Sequence, residues 1–265
     1  MRRLSTGLIV AFGLLAFGAE SACAQYKPYE PTTATFNVIE DAALKDLVAS
    51  LQKAATDQNM PALQASLAKS FTVITCKPDP ALPCAPGKKG VKQMAAKLSP
   101  AERLAQGLCC AGVPRAQITK EMIAESVVGQ FGAALEAGPT GAHPDVAGAA
   151  CLPGWPLFDR AKAARIARAA GIEPGNLRVA DNEVPIRLKP DAKEPVAETL
   201  PKGAVVPLVT DLDRPPPDGW NAIALAKGGL GYTDALGLNE MAPAGLCFVR
   251  EGTIWKAGFF VLREE

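Results

Sequence analysis

Cysteine and histidine are the residues best able to do chemistry in this 265-residue sequence, which holds seven cysteines and one histidine. Six cysteines lie beyond the first 24 residues: Cys76, Cys84, Cys109, Cys110, Cys151 and Cys247. A zinc site would need a CxxC or Cys/His spacing. Neither occurs, so no metal and no cofactor is expected. An even number of cysteines in an exported chain reads as disulfides. Cys76 and Cys84 bracket a Pro-rich loop and are expected to bridge locally. The adjacent Cys109 and Cys110 are expected to bridge outward, to Cys151 and Cys247.

Other chemistry finds little support. No serine sits in G-x-S-x-G. His143 stands beside Pro144 in a Gly/Pro-rich stretch and reads as a solvent-exposed loop residue rather than half of a Cys/His pair. Asp211, Asp213 and Asp218 share one loop. Pro215 and Pro216 stand where an EF-hand needs a ligand and a glycine, so a solvated loop is expected there. Gly228-Gly229-Leu230-Gly231 lacks the following Lys-Ser/Thr of a phosphate loop and reads as a turn.

The elements that position these residues begin after an export signal. Arg2 and Arg3 precede an uncharged apolar run, Thr6 to Ala19, and Ala22 and Ala24 are the small residues a signal peptidase needs. The run is shorter than the roughly 20 residues that span a bilayer. Cleavage is therefore expected after Ala24, and Glu20 argues against a lipoprotein signal at Cys23. Removing Arg2, Arg3 and Glu20 from 28 basic and 27 acidic residues leaves 26 of each. That balance offers nothing to nucleic acid, which wants a basic excess. No later run is long enough to span a membrane.

Leu44, Leu47, Val48 and Leu51 repeat with helical spacing. Pro61 suits a first helical turn, and Leu63, Leu67 and Phe71 are read as continuing that face. Phe71–Cys76 is a β-branched run that reads as a strand. Ser99-Pro100-Ala101-Glu102 has capping-box spacing and predicts a helix to about Leu108. Thr119 caps a second helix over 120–136, and Asp159 a third ending at Gly171. From Leu177 onward helical periodicity gives way to short apolar runs separated by turns.

Four pieces of this second half fall in order. They are Val184-Pro185-Ile186-Arg187-Leu188-Lys189-Pro190, Leu200-Pro201-Lys202-Gly203, Gly219-Trp220-Asn221-Ala222-Ile223 and Gly231-Tyr232. Together, residues 184–234 resemble a bacterial SH3-like domain. The ending Phe248-Val249-Arg250-Glu251-Gly252-Thr253-Ile254-Trp255-Lys256 is similar to the closing hairpin of a group of exported bacterial proteins. The resemblance implies a fold and a compartment but no reaction. In such folds a shallow aromatic groove holds peptides or cell-wall fragments, which makes Trp220 and Tyr232 the candidate ligand-binding residues, with Trp155 and Tyr26 further away.

The expected fold is α+β: a helical N-terminal region, a small SH3-like β-barrel and a closing C-terminal β-hairpin. The expected parts are a signal peptide (1–24), a flexible arm (25–35), a mainly helical disulfide-containing domain (36–176), the barrel (177–240) and a hairpin (241–265) packing on the N-terminal domain. A Cys247 bridge to Cys109, Cys110 or Cys151 would support that packing. The expected function is non-enzymatic binding or scaffolding in the periplasm or outside the cell, with peptidoglycan or an envelope protein as partner. The alternative is a cell-wall hydrolase or its accessory.

Overall fold

A computed structural model describes residues 26–264 except Ala111 and Ala235. The expected signal segment, Cys23 included, lies outside the described residues. The described residues form five α-helices: α1 (Ala42–Thr56), α2 (Met60–Ala65), α3 (Pro100–Leu108), α4 (Lys120–Glu136) and α5 (Arg160–Ala170). In chain order the strands are β1 (Thr35–Phe36), β2 (Leu67–Cys76), β3 (Lys92–Gln93), β4 (Gly141–Ala142), β5 (Ala150–Leu152), β6 (Pro156–Leu157) and β7 (Leu177–Ala180). They continue as β8 (Val184–Arg187), β9 (Val196–Leu200), β10 (Val205–Pro207), β11 (Asn221–Ala224), β12 (Leu230–Thr233), β13 (Leu238–Glu240), β14 (Gly245–Glu251) and β15 (Ile254–Arg263).

Local chemistry sets the helix ends. Asp41 accepts from the Leu44 amide, Asn59 from Ala62, Thr119 from Met122 and Asp159 from Lys162. Each bond satisfies an N-terminal amide that has no partner within its helix. Ser99 and Glu102 close both halves of a capping box on α3. Gly171 ends α5 in the left-handed conformation, at φ 66°. One helical reading fails: α2 stops at Ala65, and Leu67 and Phe71 lie on β2. The β-branched run there extends backwards because β2 finds a strand partner along its length.

That partner comes from the far end of the chain. The largest sheet has six strands in the order β3-β2-β15-β14-β5-β4. β14 and β15 form a hairpin, and β15 runs parallel to β2, with Phe259 opposite Thr72 and Val261 opposite Ile74. Side chains alternate between the two faces of a strand. Phe248 and Phe260 accordingly join Leu44, Phe71 and Phe131 under the helices. Cys247, Phe259 and Val261 point the other way, into a second core with Ile74, Cys151 and Trp155.

Residues 177–240 correct the expected architecture. The protein is α+β, but these strands close no barrel. They divide into a three-stranded sheet, β10-β7-β13, and a four-stranded sheet, β11-β12-β8-β9. β7, which precedes the segment with SH3-like motifs, takes β10 on one side and β13 on the other. Pro207 ends β10, and a proline has no N–H to extend the ladder. β12 and β8 share a single paired position, Tyr232 with Arg187. Among the described residues, backbone contact between the two sheets is limited to the bridge of Leu208 with Ile223 and the Val209 amide, which donates to Ala222 at 2.8 Å, while Ala180 and Val206 share a buried core with Val184, Ile186 and Ile223.

The stretch read as a flexible arm lies along these sheets from Tyr26 onward. The Tyr29 amide donates to Ala226 at 3.1 Å and its hydroxyl to Ala224 at 3.0 Å. Further along, Ala34 donates to Gly203 at 2.7 Å and Val205 to Thr32 at 3.0 Å.

Candidate functional site

The six described cysteines form three pairs at disulfide distance. Cys76 meets Cys84 with Cα atoms 5.6 Å apart, Cys151 meets Cys247 at 4.0 Å, and Cys109 meets Cys110 at 3.7 Å. The expected outward bridges of Cys109 and Cys110 are not formed. The sheet itself separates the partners: Leu108 belongs to the core under the helices, whereas Cys151 and Cys247 lie in the core on the opposite face. β5 and β14 place Cys151 and Cys247 at the same register position.

His143 is not the exposed loop residue that its neighbours suggest. It is 5% exposed, packed 4.5 Å from the Trp155 ring and 5.5 Å from Phe259. The Asp145 amide donates to its Nδ1 at 3.0 Å. Asp145 in turn accepts from Arg160 at 2.7 Å and from the Cys84 amide at 3.2 Å. Burial lowers the His143 pKa to about 4. Burial, the largest single influence, would raise that of Asp145, but the hydrogen bond and charge of Arg160 together with the Cys84 amide and His143 leave the pKa lowered. A neutral imidazole therefore sits beside an anchored carboxylate.

A ring nitrogen of His143 and the two sulfurs of Cys151 and Cys247 lie within 4.8 Å of one another. No spacing rule reveals this group, because the strands that assemble it are distant in sequence. The sulfurs are bonded to each other and Nδ1 accepts from the Asp145 amide, while Nε2 is buried without a hydrogen-bond partner among the described residues.

Trp155 links this core to an open cleft of about 380 Å³. Phe36, Pro139 and Trp155 give the cleft an apolar wall, and Asp181, Lys202 and Asn239 supply its polar groups. Two glycines let the backbone close up behind it. A Cβ on Gly141 would fall 2.7 Å from the Gly154 Cα. The Gly154 amide donates to Pro139 at 2.9 Å. Across the cleft, Asn239 donates to Asp181 Oδ2 at 2.9 Å. Asp181 Oδ1 is enclosed and has no hydrogen-bond partner among the described residues. An enclosed acceptor without a donor is costly. Oδ1 is turned toward Gly237, where an added Cβ would lie 3.1 Å from it. What the cleft offers a ligand is therefore the polar set of Asp181, Lys202 and Asn239 beside an apolar wall.

A second cleft, of about 510 Å³, is lined by Lys77, Arg178 and Arg263 together with Asp79, Glu173 and Glu264. Burial lowers the pKa of both arginines. Arg263 is paired with Glu240, and Arg178 donates to the carbonyls of Gly175 and Leu177 at 2.8 and 2.9 Å. The three basic and three acidic residues of this cleft balance in charge, and Arg263 Nε is buried without a hydrogen-bond partner among the described residues.

The residues singled out from sequence stand elsewhere. Tyr232 lies on β12, half-buried against Ala222 and Ala224, and Trp220 is half-buried just before β11. Neither lines the two clefts described above. Asp211, Asp213 and Asp218 are exposed. Asp181 gave no sequence signal, because its environment is made by the Gly237 turn and Asn239, more than fifty residues downstream. Among the described residues no helix is long and apolar enough to cross a membrane. No family model, curated protein or solved structure matches the chain.

Proposed function

We propose that this chain is an exported, non-enzymatic binding or scaffolding protein of the bacterial envelope, and that the Trp155 cleft holds its ligand, a peptide or glycan segment of peptidoglycan or of an envelope protein. The observation that carries the reading is one cleft in which the polar groups of Asp181, Lys202 and Asn239 stand beside an apolar wall of Phe36, Pro139 and Trp155. Sugars and peptides offer both an apolar face and N–H or O–H donors, which is what this combination asks for. Export is supported by the N-terminal signal pattern and by the pairing of the six later cysteines, which suits an oxidising compartment.

The test uses oxidised residues 25–265 and isolated peptidoglycan sacculi in a co-sedimentation assay. Saturable binding is expected. Asp181→Asn should weaken it about tenfold or more, the scale of losing one hydrogen bond to a charged acceptor. Lys202→Ala, on the exposed rim, should weaken it less. Absence of sedimentation would rule out peptidoglycan. Crosslinking from Lys202 in the intact envelope would then test for a protein partner, and no crosslinked product would end the proposal.

A further inference from the structure

The three cysteine pairs differ in accessibility. Cys76 and Cys84 are each 4% exposed, and Cys151 and Cys247 are fully enclosed. Cys109 and Cys110 are only half-buried, and both line a cleft of about 450 Å³. Among the described residues the remaining lining is apolar, chiefly Met94, Val113, Ile118 and Ile123, with Gln106 as its polar member.

The backbone around this pair is held firmly. The Cys109 amide donates to Ala105 at 3.1 Å and ends α3. The Leu108 carbonyl accepts from Ser126 at 2.7 Å and also from Gln130, both on α4. The Val113 amide donates to Cys110 at 3.0 Å. Cys110 itself is held at φ 66°, a region that non-glycine residues seldom occupy. The two sulfurs are thus adjacent, accessible and fixed in place by α3 and α4.

We propose that Cys109 and Cys110 form a reducible capture site for thiophilic ligands, specifically trivalent arsenic carrying an apolar substituent. A small dithiol attacks the disulfide and passes two electrons and two protons to it. The products are two adjacent thiols and the cyclic disulfide of the reductant. The thiols then condense with an organoarsenic(III) oxide. Two S–As bonds form, both thiol protons and the oxide oxygen leave as one water, and arsenic keeps its oxidation state. The product is uncharged, which suits the apolar lining, and its apolar group lies against Ile118 and Ile123. Soft sulfur donors select such ligands, and Met94 adds a thioether to the same wall.

The experiment treats native residues 25–265 with dithiothreitol and traps thiols with N-ethylmaleimide for peptide mapping. Cys109 and Cys110 should be labelled well before the other four cysteines. Phenylarsine oxide added to the reduced, untrapped protein, after the dithiothreitol has been removed, should be retained through gel filtration at one per chain. It should then protect Cys109 and Cys110 from the maleimide. The oxidised protein should retain none, and Cys110→Ser should lose retention at least a hundredfold. The oxidised wild type serves as a control whose fold is intact, so the conclusion does not hang on how the variant folds. Earlier or equal labelling of any other pair would overturn the proposed reducibility. Failure of the reduced protein to hold the arsenical, or protection at other cysteines, would overturn the capture.

Discussion

His143 shows how a single side chain can govern a pH response. Its folded pKa of about 4 lies below the ordinary 6.5, so on acidification the unfolded chain takes up the proton first. Its contribution is whole above pH 6.5 and drains away as pH falls toward 4. Integrated over that window the loss is about 3 kcal/mol. The chain has no other histidine, so denaturant titrations between about pH 7 and 5.5, above the range in which the carboxylates titrate, should isolate the slope. His143→Gln should flatten it, whatever the variant does to absolute stability. An unchanged slope would mean that the ring is not buried neutral. Gly245 offers a steric counterpart. A methyl group there would overlap the Leu152 carbonyl and the Pro153 ring. Gly245→Ala should therefore cost about 1–3 kcal/mol, read as a lowered denaturation midpoint.

At the scale of elements, α4 is docked by Phe131, fully buried and stacked on Phe260 of β15 at 5.9 Å. Phe131→Ala should cost about 3–5 kcal/mol, measured by chemical denaturation. The helix itself was legible from sequence: Thr119 caps it, and α3 and α5 announce themselves equally through Ser99 and Asp159. Capping is written in a few adjacent residues, so it survives without knowledge of the fold. Leu67 reads as helix, and Phe71 both as a helix face and as part of the strand on which it does lie, because helical and strand patterns overlap in a short apolar run, and only the distant β15 decides between them. The barrel reading failed for a related reason. Turn and strand motifs at 184–234 do mark strands, but which strand lies beside which depends on β7, outside the matched segment. Asp181 and Trp155 stayed obscure as a pair for the same cause, since their proximity is produced by sheet assembly.

For the whole molecule, the decisive connection is between the two ends of the chain. The Cys151–Cys247 disulfide spans 96 residues of sequence. Replacing both cysteines with alanine should lower stability by about 2–5 kcal/mol, mostly through the unfolded state, and thermal melts of oxidised and variant protein would measure it. β15 has β2 on one side and β14 on the other, so it is an interior strand of the largest sheet, although it follows β2 by almost 180 residues. A chain leaves the ribosome from its N-terminus. Until residues 254–263 arrive, β2 has one open apolar edge and the helices α1, α3 and α4 have half a surface to rest on. The segment between β2 and β15 is therefore obliged to wait unfinished while it is made, a state vulnerable to proteases. A chain cut short before β15 should then be cleared rather than stored.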